Sequence, residues 1–384
     1  MIVRLSVRMA VAAVVCASRC SAQDAGVIGP VAIGFGVDTT RAPTRDIVVR
    51  WSAYLLSEPE KPRASPLWVQ SEQDRWPDFD LTGRWLYQGF SPTIVEVARM
   101  GSGDSLFVVK TLFARAKDGA IQPIGLQQTY AVRTSDGWRF ANALPRVTAS
   151  WRRRTVGPIR YRVEPGASFD AARAGRAAAF VSRLARRFAL PTSGPIDYVV
   201  AKSPDSMARA IGLEWTIPGT AGRAYPENRL VLSGSPAYGE AYLHELVHIV
   251  AAPLATSTAP YWLTSEGLAT WLGGSQGKTT DTLFGELAAY QTSHPSLRLQ
   301  DIFDETDEAA PVLYSSAALL FALVGERGGD SSVRALYAAG TTLDGFRAEV
   351  RQSLGVTDAK LEALWRSAPT RMARGGRSRR MRRS

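Results

Sequence analysis

A chain of 384 residues, 45% hydrophobic and 21% charged, is long enough for two ordinary domains with real cores, which excludes an intrinsically disordered protein. The formal charge of +11 invites a nucleic-acid reading, but three of those units fall in residues 1–22 and seven in residues 371–384. That leaves one for residues 23–370, so the sequence argues against a nucleic-acid partner.

At the start, Arg4 and Arg8 precede the apolar run 9–15, and small residues follow through Ala22. This pattern reads as a secretory signal peptide cut after Ala22, with an apolar run too short to span a bilayer. Cys16 and Cys20 leave with it, so the exported chain is expected to hold no disulfide. Residues 23–42 lack a sustained period and read as a linker. Ile47, Val48, Trp51, Tyr54 and Leu55 recur at helical spacing, which predicts an amphipathic helix over 44–57. Alternating runs at 92–100, 105–115, 122–133 and 137–143 are separated by turn signals around Gly101, Gly119 and Gly137. One helix and a four-stranded meander make residues 43–152 a small α+β domain with a curved sheet, similar in pattern to the SnoaL-like or cystatin-like cones. Trp68, Trp76, Trp85 and Tyr87 are expected in its core.

Trp151-Arg152-Arg153-Arg154-Thr155 reads as the junction to a second domain spanning 156–370. Strands are expected at 158–163, 196–201 and 229–232, and helices at 169–189 and 203–211. The arginines Arg173, Arg176, Arg183, Arg186 and Arg187 form the wet face of the first of these helices. Helices follow at 281–292, 311–327, 331–339, 342–353 and 357–367. The Arg-rich tail 371–384 reads as a disordered arm, with at most loose electrostatic contact to an anionic envelope.

The chemistry concentrates at His244-Glu245-Leu246-Val247-His248. Two imidazoles four residues apart share one helix face, the spacing at which their neutral nitrogens can bind one Zn²⁺, while Glu245 stands beside that face as a proton acceptor. The chain has only three histidines, and two are here. Downstream, Thr264 or Ser265 is placed to cap a second helix whose first turn carries Glu266, a candidate third ligand. The remaining histidine, His294, sits in Ser293-His294-Pro295 and reads as a surface loop residue.

His244-Glu245-x-x-His248, 17 intervening residues and then Glu266-Gly267-Leu268-Ala269 resembles the gluzincin metallopeptidases, most closely their peptidase-MA-like branch. Relatives usually read Trp-Leu-x-Glu-Gly, whereas here two residues, Thr264 and Ser265, separate Leu263 from Glu266. The resemblance implies a mostly helical, zincin-like peptidase domain with a short mixed sheet. It further implies Zn²⁺ on His244, His248 and Glu266, Glu245 as general base, and an exported enzyme cleaving peptide or protein substrates. Tyr314 falls where such relatives often keep a tyrosine that donates a hydrogen bond to the forming oxyanion. The strand near 229–232 would be the edge on which a peptide lies. The alternative is a secreted peptide-binding module that retains a structural zinc.

Overall fold

The period-two runs after residue 90 become one antiparallel sheet, and the helical runs after residue 240 become a bundle packed on a second sheet. The computed structural model describes residues 31–57, 65–75, 81–82, 90–117, 119–191, 194–216, 220–255 and 260–381. The expected signal at 1–22, together with Trp76, Trp85 and Tyr87, lies outside them.

The first half runs through β1 (Ala32–Ile33), α1 (Thr44–Leu55), α2 (Gln70–Arg75), β2 (Ser91–Arg99), β3 (Leu106–Lys117), β4 (Ala120–Thr134), β5 (Gly137–Ala141) and α3 (Ala143–Val147). The strands lie in the order β1-β2-β3-β4-β5. Helix α1 buries Ile47, Val48, Trp51 and Leu55. Trp51 Nε1 donates to Thr111 Oγ1 at 2.8 Å, and its ring packs on Tyr54, Trp68 and Phe140. A buried indole N–H that finds a partner anchors the helix to the sheet without a desolvation penalty.

The second half opens with β6 (Arg152–Val156), β7 (Ile159–Val163), α4 (Ala171–Arg187), β8 (Ile196–Val200), α5 (Pro204–Ala210), β9 (Leu213–Thr216), β10 (Gly222–Tyr225) and β11 (Leu230–Ser233). Its sheet has the order β10-β11-β8-β7-β6. The inner strands β11, β8 and β7 are parallel, and both edge strands run antiparallel to their neighbours. Strands β8 and β11 are buried along their length, as parallel strands covered on both faces must be, whereas β7 buries Ile159, Tyr161 and Val163 and turns Arg160 outward. The helices α6 (Leu243–Ala251), α7 (Trp262–Gly273), α8 (Thr280–Ser293), α9 (Leu299–Phe303), α10 (Leu313–Ala339), α11 (Leu343–Leu354) and α12 (Asp358–Met381) complete the chain. Helix α10 kinks at Gly329 (φ +67°), in the gap between the two helices expected at 311–327 and 331–339. The protein is thus α+β, with a helix-plus-sheet first half and a largely helical second half carrying a short mixed sheet.

Several segments differ from the sequence reading. Part of the expected linker 23–42 pairs as β1 with β2, Ala32 opposite Thr93. The expected junction at 151–155 is the edge strand β6, because Val156 at its end packs into the core. Strands β9 and β10 were not anticipated; their four-residue runs are too short to show a period. The expected disordered arm is helical through Met381, tied down by Arg371 Nη1 on Glu326 Oε2 at 2.9 Å and by Met372 and Ala373 against the core.

Strand β9 belongs to the second half in sequence but pairs with β4 of the first sheet, Leu126 opposite Trp215. The same core holds Phe113 and Trp138 of the first sheet together with Met207, Ile211 and Leu232 of the second half. The crossing closes at Gly212, whose carbonyl accepts from Gln128 N at 2.6 Å. Gly212 has φ +91°, and a Cβ there would lie 2.3 Å from the Gln128 carbonyl oxygen. Gly212→Ala should therefore cost about 2 kcal/mol or more of stability, from left-handed strain plus a backbone clash. Denaturant unfolding checks this; a loss under ~0.5 kcal/mol would mean that the two halves are not locked at this point.

Candidate metal centre

Helix α6 is apolar on every side apart from its three ionisable residues, and all its residues from His244 to Ala251 are buried. A helix of that kind must lie in the interior of the fold. Its start is fixed by two tyrosines at paired positions on β7 and β8, Tyr161 opposite Tyr198. Tyr198 Oη donates to Gly239 O at 2.8 Å and accepts from Tyr242 N at 3.0 Å, while Tyr161 Oη donates to Glu240 O at 3.1 Å.

Helix α7 lies across α6. It begins at Trp262 with Tyr261 as its N-cap, so Thr264 and Ser265 are interior residues and Glu266 stands in the second turn. This corrects the expectation that Thr264 or Ser265 caps the helix: Tyr261 Oη and Trp262 Nε1 both donate to Glu305 Oε1, which pins the helix start earlier. The additional residue before Glu266 is absorbed by starting the helix sooner. The far end of α7 presses on the start of α6, where a Cβ on Gly273 would lie 2.6 Å from His244 N. Only glycine permits that approach.

His244, His248 and Glu266 meet where the helices cross, with one ligand atom from each lying within 4.8 Å of the others. His244 Nε2 is 2.9 Å from Glu266 Oε2, and His248 Nε2 is 3.5 Å from Glu266 Oε1. His244 Nδ1 sits 2.8 Å from Gly274 O; a carbonyl can only accept, so Nδ1 carries the hydrogen and Nε2 faces the carboxylate. His248 Nδ1 is 3.0 Å from Ser265 Oγ, a hydroxyl also bonded to the Tyr337 phenol. Two imidazoles held from behind and turned toward one carboxylate make a donor set that fits a divalent metal ion. No other such group occurs among the described residues.

The electrostatics follow from this closeness. Burial opposes a charge on His244, yet the hydrogen bond and charge of Glu266, with help from Glu245, raise its pKa to about 9. Burial also works against the Glu266 carboxylate, but the two histidines outweigh it and hold it well below the usual carboxylate range. Glu245 is raised, chiefly by burial; His244, His248 and Arg223 pull the other way. Tyr314, the second residue of α10, is raised by burial and by the charges of Glu266 and Glu245, so its phenol keeps its proton. Its ring centroid lies 6.3 Å from that of His244 and 6.1 Å from that of Trp262.

All five residues singled out in the sequence therefore lie in one neighbourhood. His294 does not join them: its ring stacks on Tyr290 at 3.9 Å and its Nδ1 is 3.0 Å from Ser293 Oγ. The sequence reading missed Ser265 as a partner of His248, Gly274 as the acceptor from His244, and the Tyr238–Tyr242 stack at 4.0 Å beside the helix start. The Gly273-Gly274 pair after an apolar run was the available signal for the second of these.

No protein-family model matches the chain, and no curated protein matches it.

His248→Ala and Glu266→Ala should each lose tightly bound metal, whereas His294→Ala should keep it. Ser265→Ala should retain the site with about tenfold weaker affinity or worse, the usual cost of losing a hydrogen bond behind a ligand. Metal content after loading with Zn²⁺ and dialysis against a graded chelator series decides this. Stoichiometric metal in Glu266→Ala would exclude the carboxylate as a ligand.

Proposed function

We propose that this protein is an exported, zinc-dependent peptidase of the gluzincin type. The observation that carries the reading is the convergence of His244, His248 and Glu266 beside a second carboxyl, that of the buried Glu245, on the helix that supplies both histidines. A Zn²⁺ ion bound by those three residues supplies a Lewis acid for a peptide carbonyl and lowers the pKa of water toward ~7.

The chain's own groups do the rest. Glu245, whose pKa burial raises, would take a proton from water and return it to the departing amine. Tyr314 stays protonated and is available to donate a hydrogen bond to an oxygen that gains negative charge. Strand β10 is the edge of the second sheet among the described residues, the place at which an extended peptide would pair. It takes the place first expected for residues 229–232, which form the inner strand β11.

The rival is a binding module with a structural metal, favoured by the depth of the site: His244, Glu245 and His248 are only 5%, 8% and 9% exposed. Ligand number favours catalysis, since closed structural zinc sites have four protein ligands and hydrolytic ones have three.

Glu245→Gln should bind zinc like the wild type and lose peptide hydrolysis by about 100-fold or more. A diverse peptide library, incubated with zinc-loaded wild type and variant and mapped by mass spectrometry, provides the comparison. Equal cleavage by both would remove Glu245 from the mechanism. No cleavage by zinc-loaded wild type would establish the binding module instead.

A further inference from the structure

The near-neutrality of residues 23–370 hides a sharp segregation of charge, since residues 152–187 carry ten arginines against only Glu164 and Asp170, a net of +8. Three of the ten, Arg183, Arg186 and Arg187, stand at i, i+3 and i+4 near the end of α4 and so share one face. Like charges at that spacing oppose one another, and the negative end of the helix dipole offsets only part of the repulsion. Among the described residues a single acid answers them, Asp330, whose Oδ1 lies 2.7 Å from Arg187 Nη2. Arg183 and Arg186 are exposed and have no acidic partner within 4.0 Å among the described residues.

These arginines border a groove of about 650 Å³ whose floor is Phe180, Leu184 and Leu272, and every charged residue lining it is an arginine. At Arg187 and Leu272 the groove meets a second cavity, of about 770 Å³. The Arg187 guanidinium marks the junction, its carbon 4.9 Å from the centroid of the Trp271 ring. Beyond it lie Trp271, Leu272, Phe284, Ala322 and Met372, drawn from four helices. The sign of the charge changes along the cleft, because the inner cavity carries Asp281 and Glu326, the latter tied to Arg371 at 2.9 Å. The cavity borders Leu243, Gly273 and Gly274 but is lined by none of the three candidate metal ligands.

We propose that this cleft binds one molecule of a single-chain anionic amphiphile, a long-chain fatty acid, with its carboxylate on Arg183 and Arg186 and its chain running past Arg187 over Trp271 and Leu272. Spaces of several hundred Å³ with an apolar bed and a few charged groups at one end are the size and make-up of small-ligand sites. Guanidinium groups pair with a carboxylate through two parallel hydrogen bonds, and the two arginines without an acidic partner supply them. Asp281 and Glu326 repel an anionic head from the inner end, which fixes the orientation of the ligand. A bilayer surface would meet the exposed guanidinium groups alone, whereas the apolar bed lies between helices and admits a chain that has left the bilayer.

The test is isothermal titration calorimetry on the full chain with dodecanoate below its micellar concentration, at physiological salt. Dodecanoate should saturate at one molecule per chain, and octanoate should bind at least about tenfold more weakly for the methylenes it lacks. Dodecyltrimethylammonium, with the same chain and the opposite charge, should also bind at least about tenfold more weakly. These arms require no variant to fold. The Arg183→Glu, Arg186→Glu double variant, whose two positions are exposed, should lose at least about tenfold in dodecanoate affinity, with circular dichroism confirming its fold. Equal binding of octanoate would reduce the site to a plain anion site and overturn the proposal, as would equal binding of the cationic amphiphile. Binding to phosphatidylglycerol vesicles without saturable uptake of dodecanoate would assign the arginines to a bilayer surface instead. Unchanged affinity in the folded double variant would remove them from the site.

Discussion

Bringing one carboxylate and two imidazoles within 4.8 Å of one another in a largely buried place is the constraint on which the rest of the second half depends. Burying such groups is costly unless each is hydrogen-bonded and the charges offset one another. The fold meets this from three directions. The Tyr161 and Tyr198 hydroxyls fix the start of α6, Glu305 holds the start of α7 through Tyr261 and Trp262, and Gly273 lets the end of α7 touch the backbone of His244. With both helices fixed, Glu266 has little freedom except to face the two Nε2 atoms. A site held from behind in this way needs little rearrangement to receive a cation.

The histidine pair was legible because i, i+4 spacing on an apolar helix is a local property, and Glu266 was legible because it lies within the next helical run, although that run starts earlier than expected. Local properties also marked α1 and the four strands of the first sheet, whose observed bounds lie within a few residues of those expected. What escaped the sequence depends on approaches between distant segments. Ser265 reaches His248, and the Gly274 carbonyl reaches His244, only once α6 and α7 have crossed. Strand β9 has four residues and pairs with a strand some ninety residues earlier, so no window along the chain contains its partner. The N-terminal limit of α7 was misplaced for a related reason: Thr264 is a good capping residue by type, but Tyr261 and Trp262 are tied to Glu305, over forty residues away.

Strand β9 also gives the first half a physical connection to the candidate metal centre. It leaves the first sheet only a few residues before β10, the edge strand of the second sheet, and Lys110 of β3 bridges Glu96 and Glu214 at 3.1 Å across the same crossing. The two halves therefore share a core and a strand, in contrast to a tether between independent units. Charge is distributed with similar economy, since a body of net +1 contains a block of +8 gathered around β6 and α4. Net charge alone concealed that block, and strand order revealed it.

The central claim is that His244, His248 and Glu266 ligate one metal ion together. X-ray absorption spectroscopy of the zinc-loaded protein addresses it directly. The account predicts a four-coordinate first shell of nitrogen and oxygen at about 2.0–2.2 Å, with the outer-shell scattering of two imidazole rings and no sulfur. A shell of oxygen alone, or one lacking the scattering of two imidazoles, would contradict it.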